Sequence, residues 1–242
     1  MADSIPARLV MNFDETKMKQ TNKPRSTLRL PKRPYKVNIG LHPTHGETAL
    51  IGAAASGHKF PIGLIVKAER KDLINDCKQA SGTTGIHYYE TKSGWNNAAI
   101  MKQFILDVIV PYTGGEHSLL ILDEYSGHST IEVFEVCATN NITLMIVPGR
   151  ATPIAQPMDI SVFANVKRNL QTLWNAAKEQ HPLIDVTPVE SVKQLVTSWN
   201  NCSKESILHG WNELWKLSDI PRIPASGSSS SAASNNRQFK TT

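Results

Sequence analysis

Two short apolar runs, SLLIL at 118–122 and ITLMIV at 142–147, stand on either side of a single amphipathic pattern. That arrangement limits what the chain can fold into more than any other feature. A continuous apolar run of this length reads as a strand buried on both faces. Between the runs, Ile131, Phe134 and Cys137 repeat at helical spacing, and Asn140-Asn141 supplies a stop. A strand, a crossover helix and a second strand predict a parallel pair, and a parallel sheet needs helices on its faces. Purely helical and purely β architectures are excluded.

The preceding residues predict antiparallel strands. Residues 7–13 read as a short strand ending at Asp14. TALIGAAAS at 48–56 and FPIGLIVK at 60–67 read as a hairpin across Gly57-His58. Residues 69–80 suggest a short helix, and 86–90 a strand. Met101, Phe104, Ile105 and Val108 predict a helix over 97–110. Beyond the second apolar run, Pro157 suits a first helical turn. Phe163, Val166, Leu170, Leu173 and Ala177 continue an apolar stripe. Two further stripes follow, Val192, Leu195, Val196 and Trp199, then Ile207, Leu208, Trp211, Leu214 and Trp215. Trp199, Trp211 and Trp215 on those stripes read as core side chains. The expected class is α/β, a mixed sheet of antiparallel then parallel strands with helices on both faces, which is the order of an RNase H-like fold. The expected division is an N-terminal extension at 1–7, a core at 8–180, helices packed on it at 181–220, and a Ser/Asn-rich disordered tail at 221–242.

Apolar residues make up 40% of the chain, enough for a buried core. No apolar run approaches the roughly 18 residues of a membrane span, and the N-terminus has no signal-peptide apolar region. Cys77, Cys137 and Cys202 are far apart, with no zinc spacing, and read as free thiols. Net charge is 26 − 21 = +5, and its distribution matters more than its size. Lys17, Lys19, Lys23, Arg25, Arg29, Lys32, Arg33 and Lys36 fall in one stretch with no acidic residue. Clustered cations of this kind suit phosphate contact. A solvated basic loop, or a nuclear import signal centred on PKRPYK at 31–36, explains them equally well.

Three aspartates occupy corresponding places: Asp14 at the end of the first strand, Asp123 at the end of the first parallel strand, and Asp159 at the start of a helix after the second. Convergent carboxylates repel and raise one another's pKa, and a divalent cation removes that penalty. Each also has an ordinary explanation: a helix-dipole residue for Asp159, turn residues for Asp14 and Asp123.

NFDET at 12–16, LLILDEYSGHS at 119–129 and TPIAQPMDISVFANVK at 152–167 resemble the three signature blocks of DDE transposases, in particular the pogo–mariner group and its domesticated relatives. Thirty-five residues separate Asp123 from Asp159, and Gly94-Trp95 before the long helix matches too. The resemblance covers about residues 8–218. It implies an RNase H-like domain that binds two Mg²⁺ or Mn²⁺ ions through Asp14, Asp123 and Asp159. It implies hydrolysis of DNA phosphodiesters and then strand transfer by the freed 3′-hydroxyl. It also implies DNA as partner, a homodimer on DNA, no small-molecule cofactor, no membrane and a nuclear setting. His128 is a candidate for positioning a phosphate or ligand, or a structural loop histidine. Thr152 could donate to a phosphate or cap a turn. Gln156 and Pro157 are expected to shape the loop that delivers Asp159. Lys167 and Arg168 suit either DNA or a solvated helix face. Glu124 and Pro153 depart from the family's usual neutral residue and histidine.

No helix-turn-helix pattern precedes the first strand, so a sequence-specific DNA reader is expected to be lacking. Three functions compete: a metal-dependent DNA endonuclease or transposase domain, a catalytically silent nuclear protein that binds DNA or chromatin, and an RNase H-like enzyme acting on RNA or DNA junctions.

Overall fold

The structure is a computed structural model that describes residues 5–18, 47–149, 151, 155–180 and 186–217. The expected tail at 221–242 and most of the basic stretch lie outside those residues.

The elements are β1 (Val10–Lys17), β2 (Thr48–Ala54), β3 (Ile62–Lys67), α1 (Asp72–Gln79) and β4 (Ile86–Thr91). Then α2 (Ala98–Phe104) runs through a π-helical turn (Ile105–Ile109) into α3 (Val110–Thr113). β5 (Ser118–Asp123), α4 (Ile131–Thr139) and β6 (Ile142–Val147) follow. A second π-helical turn (Met158–Val162) leads into α5 (Phe163–Gln180), and α6 (Pro188–Asn200) and α7 (Lys204–Leu217) complete the described chain.

The six strands form one sheet in the order β4-β3-β2-β1-β5-β6. β1 and β3 flank β2 antiparallel. β5 lies parallel to β1, and β6 parallel to β5. The expected mixed sheet with an RNase H-like order is what the chain forms. One edge differs from a simple antiparallel-then-parallel progression: β4 pairs with β3 in parallel. The helix α1 between them supplies the crossover that such pairing requires.

Strand alternation sorts the core into two layers. Val10, Ile51, Leu64 and Ile121 share one cluster with Met158, Phe163, Val192, Trp199 and Trp211 of the π turn and α5–α7. Met11, Phe13, Leu50, Leu120 and Leu122 share the other with Met101, Phe104, Val133 and Cys137 of α2 and α4. Helices therefore cover both faces. Trp199 and Trp211 are buried, and Trp215 stacks on Trp211 with ring centroids 5.9 Å apart.

β1 corrects a sequence expectation. Asp14 does not end the strand; it sits mid-strand opposite Ile51 of β2, and pairing with β2 continues to Lys17. On the other edge, β1 pairs with β5 only over Val10–Asn12. One edge of β1 is therefore unpaired from Phe13 onward, while the Asp14 side chain itself is buried. The helix expected over 97–110 starts as predicted, with the Asn97 side chain accepting from Ile100 N–H at 3.0 Å, but continues to Thr113.

The π turn that carries Asp159 is clamped by α7. Ser161 donates to the Ser206 carbonyl at 2.7 Å, and Asn165 to the Ser206 hydroxyl at 3.1 Å. Gly210 allows this approach: a Cβ there would lie 2.4 Å from the Pro157 carbonyl oxygen and 2.8 Å from Ser161 Oγ. Gly210→Ala is expected to cost about 1–3 kcal/mol, the usual penalty of overpacking. Urea unfolding checks this; an unchanged midpoint would contradict the close packing.

Candidate active site

Alternation along β1 gives neighbouring acids different surroundings. Val10, Asn12, Asp14 and Thr16 face the α5–α7 layer, while Met11, Phe13, Glu15 and Lys17 face the α2–α4 layer. Asn12 is fully buried. Its amide donates to the Ile121 carbonyl at 2.8 Å, and its oxygen accepts from Met158 N–H at 3.2 Å. One side chain thus ties β1, β5 and the π turn together, and with them the segments bearing Asp14, Asp123 and Asp159.

Gln156 is also fully buried. In the amide orientation that gives both its ends a partner, the nitrogen donates to Asp14 Oδ2 at 3.3 Å and the oxygen accepts from Asp123 N–H at 2.8 Å. It is therefore a direct bridge between the Asp14 carboxyl and the Asp123 backbone. Asp14 Oδ1 accepts from Glu15 N–H at 2.7 Å. Burial, then the neighbouring Glu15 and the charge of Asp159, push the Asp14 carboxyl up to about 9. Asp159 is exposed. Burial of its surroundings raises its pKa, Lys167 opposes the shift, and the charge of Asp123 adds to it. The charge of Asp159 thus reaches Asp14, and that of Asp123 reaches Asp159.

His128 has no exposed surface. Its Nδ1 lies 2.5 Å from Asp123 Oδ1, and its Nε2 lies 3.0 Å from Glu15 Oε1. Burial disfavours its charge, but the hydrogen bonds and charges of Asp123 and Glu15 outweigh that and push it up to about 10. Burial likewise works against a charged Glu15, yet His128, with help from Asn96, holds it below the ordinary glutamate range. The Asn96 amide donates to Glu15 Oε1. Adjacent carboxyls are split in this way: Glu15 is the anion and Asp14 the neutral acid near pH 7.

Glu124 is exposed and accepts from Gly149 N–H at 3.1 Å, joining the ends of β5 and β6. Lys167 and Arg168 are exposed. Of the basic stretch, Lys17 is described, with its Nζ 3.3 Å from the centroid of the Trp95 ring. Lys19, Lys23, Arg25, Arg29, Lys32, Arg33, Lys36 and Thr152 lie outside the described residues. Asn12, Glu15 and Asn96 were not singled out from sequence, although Asn12 and Glu15 stand inside the NFDET block.

As donors, three carboxylates are hard oxygen ligands suited to Mg²⁺ or Mn²⁺. A buried Asp14 whose charge is suppressed by its neighbours is the kind of group that a cation would restore to its ionised form. Among the described residues no three acidic, histidine or cysteine side chains close around one point.

A family model described as DDE superfamily endonuclease matches residues 46–211. The match begins after β1 and spans Asp123, His128, Gln156 and Asp159. The chain is 26% identical over 182 residues to the "Pogo transposable element with KRAB domain" of Homo sapiens, covering 69% of this chain and 28% of that protein. The Mus musculus protein of the same name is 24% identical over 207 residues, covering 73% and 32%. The chain thus spans about a third or less of these relatives. In fold it is similar to the Mos1 chain in the strand transfer complex, with a TM-score of 0.56, 15% identity, and coverage of 87% of this chain and 52% of that one.

Proposed function

The chain belongs to the DDE superfamily endonucleases, and from that premise we propose that Asp14, Asp123 and Asp159 hold divalent metal for DNA phosphodiester cleavage. The observation that carries this reading is the Gln156 bridge: one buried amide links Asp14 to Asp123, and the charge of Asp159 reaches Asp14. Mg²⁺ or Mn²⁺ held there would supply charge stabilisation for the attacking and leaving oxygens of an in-line displacement. Water would attack phosphorus, the bond from phosphorus to the 3′-oxygen would break, and that oxygen would leave as a hydroxyl. The chain's own part is positional. Gln156 ties the Asp14 carboxyl to the Asp123 backbone, His128 holds the Asp123 carboxylate, and Asn12 and α7 hold the turn that bears Asp159. Exposed Lys167 and Arg168, with Lys17 and the sequence that follows it, would meet the DNA backbone.

Strand transfer by the freed 3′-hydroxyl, a homodimer on DNA and a nuclear setting belong to the same proposal. Their support is the resemblance of the motif blocks and the likeness to a protein seen in a strand transfer complex.

Cleavage of labelled duplex DNA with Mg²⁺ or Mn²⁺ tests the reading, wild type against Asp123→Ala. Cleavage that requires metal and is lost in the variant is expected. Cleavage undiminished in the variant would overturn the assignment. Salt-sensitive DNA binding that survives Asp123→Ala, with no cleavage by either protein, would favour a catalytically silent DNA-binding protein.

A further inference from the structure

β6 is the last strand of the sheet, and among the described residues no strand follows it. An edge strand turns half of its backbone N–H and C=O groups outward, where they lack a ladder partner. Proteins usually guard such an edge with charge, proline or a bulge. The opposite edge strand, β4, carries the exposed carboxylate of Glu90. β6 carries nothing of the kind. Its residues are ITLMIV, with no charge, proline or glycine, and they pair with β5 in unbroken register.

The helix beside this edge is equally bare. α4 lies against α2 and β6, and its buried residues Val133, Val136 and Cys137 pack into the core. Each residue advances about 100° around a helix. Ile131, Phe134 and Ala138 therefore form a second apolar stripe beside the first, and all three are exposed, Ile131 at 70% and Phe134 at 43%. Glu132 fixes the direction of that stripe, because it stands on the opposite flank of α4. Its carboxylate is held below the ordinary glutamate range by its own N–H and the Thr130 hydroxyl, and the charge of Lys102 on α2 adds to them. The Glu132 flank thus faces α2, and the apolar stripe faces away from α2, past β6. Leu144 and Ile146 pack toward α2 and α4. Alternation turns Met145 to the other face of the sheet, where it is 46% exposed.

A partner for this edge must bring three things: a free strand edge, an apolar helix stripe on one face of the sheet, and an apolar side chain on the other. A second copy of the same edge brings all of them. A two-fold axis perpendicular to the sheet sets two β6 strands antiparallel and keeps both α4 helices on one face. Neighbouring packed helices lie roughly 8–10 Å apart, so α4 meets its symmetry mate stripe to stripe. Met145 falls near the axis beside its own mate. A large side chain carries on the order of 200 Å², so the exposed parts of Ile131, Phe134 and Met145 offer on the order of 300 Å² per copy. A standard stable interface buries roughly 800 Å² per partner. The strand edge supplies part of the difference, and the dimer is weak and reversible.

We propose that two copies of the chain pair along β6 and α4, joining their six-stranded sheets into one. This does not rest on the DNA-cleaving reading. It goes beyond the homodimer on DNA named there, because the contact is between protein surfaces and needs neither DNA nor metal.

The test follows the whole chain without DNA or metal. Sedimentation velocity over a concentration series reports the oligomeric state, and hydrogen–deuterium exchange of a peptide spanning β6 reports the edge. Wild type is expected to pass from monomer to dimer in the micromolar range, with exchange in β6 slowing as the dimer fills. Met145→Lys, which places a charge on the edge, and Phe134→Glu are each expected to weaken association roughly tenfold or more. Both side chains are about half exposed, so the variants are expected to melt near wild type, and a melting curve checks this. Wild type that stays monomeric at all concentrations would overturn the proposal. A dimer unchanged by either variant would overturn it too, by placing the contact elsewhere. β6 amides already protected in the monomer would show that the chain covers this edge itself, and would equally overturn it. None of these results bears on metal binding or DNA cleavage.

Discussion

Asp14→Asn is expected to lose metal-dependent cleavage by about a thousandfold or more, ~4 kcal/mol of barrier, while the metal-free protein melts higher than wild type. The two halves of this result have one cause. Burial, Glu15 and Asp159 push the Asp14 carboxyl up to about 9 in the folded chain, against an ordinary value of 3.8. Between those values the unfolded chain has released the proton and the folded chain has kept it. Stability from this group is therefore full below about pH 4 and declines as pH rises to about 9. Asparagine removes the titration and keeps the shape, although its single oxygen can accept from Glu15 N–H or from the Gln156 amide but not from both. The advantage of the variant should grow from pH 4 to pH 9, by several degrees of melting temperature in total. A variant that melts lower than wild type at pH 8 would contradict the burial of a suppressed charge. Retained cleavage would contradict its role as a ligand.

The second large effect is structural. His128→Ala is expected to destabilise the fold by about 3–5 kcal/mol near neutral pH, as breaking a buried ion pair does. The reason is what it leaves behind: Asp123 and Glu15 lose the group that lies 2.5 Å and 3.0 Å from their oxygens. The sign with pH follows from the raised folded value of about 10 against an ordinary 6.5. Stabilisation by His128 is full below about pH 6.5 and is lost as pH climbs through 10. The gap between wild type and His128→Ala should therefore narrow between pH 7 and pH 10 in chemical denaturation. A gap that is small at pH 7, or constant across that range, would show that the histidine is not a charged clamp.

Much of this was legible in the residues. The apolar runs at 118–122 and 142–147 announced the parallel pair, although Met145 of β6 and Ile131 and Phe134 of the helix between are exposed rather than buried, and the hairpin at Gly57-His58 announced the antiparallel half. Asp123 and Asp159 lie where the strand end and the helix start placed them. Asp14 was misplaced because a carboxylate reads as a strand terminator when only local propensity is considered. The strand continues because β2 pairs with it to Lys17 while β5 stops at Asn12, and that asymmetry is a property of three strands together. Period-two alternation did hold a usable signal, since it sets Asn12 with Asp14 on one face and Glu15 on the other. The partners of these residues were not readable. Asn96 reaches Glu15 across 81 residues, His128 across 113, and Met158 reaches Asn12 across 146. No local pattern encodes contacts of that span. Gln156 was read as a loop former for the same reason: its two partners lie on different strands.

The central claim, a divalent-metal site made by Asp14, Asp123 and Asp159, is tested most directly by calorimetric titration of Mn²⁺. Wild type and Asp123→Ala are each titrated with and without a short DNA duplex. Saturable binding by wild type, strengthened by DNA and lost in the folded variant, is the expected result. No binding by folded wild type even with DNA present, or equal binding by Asp123→Ala, would contradict the site.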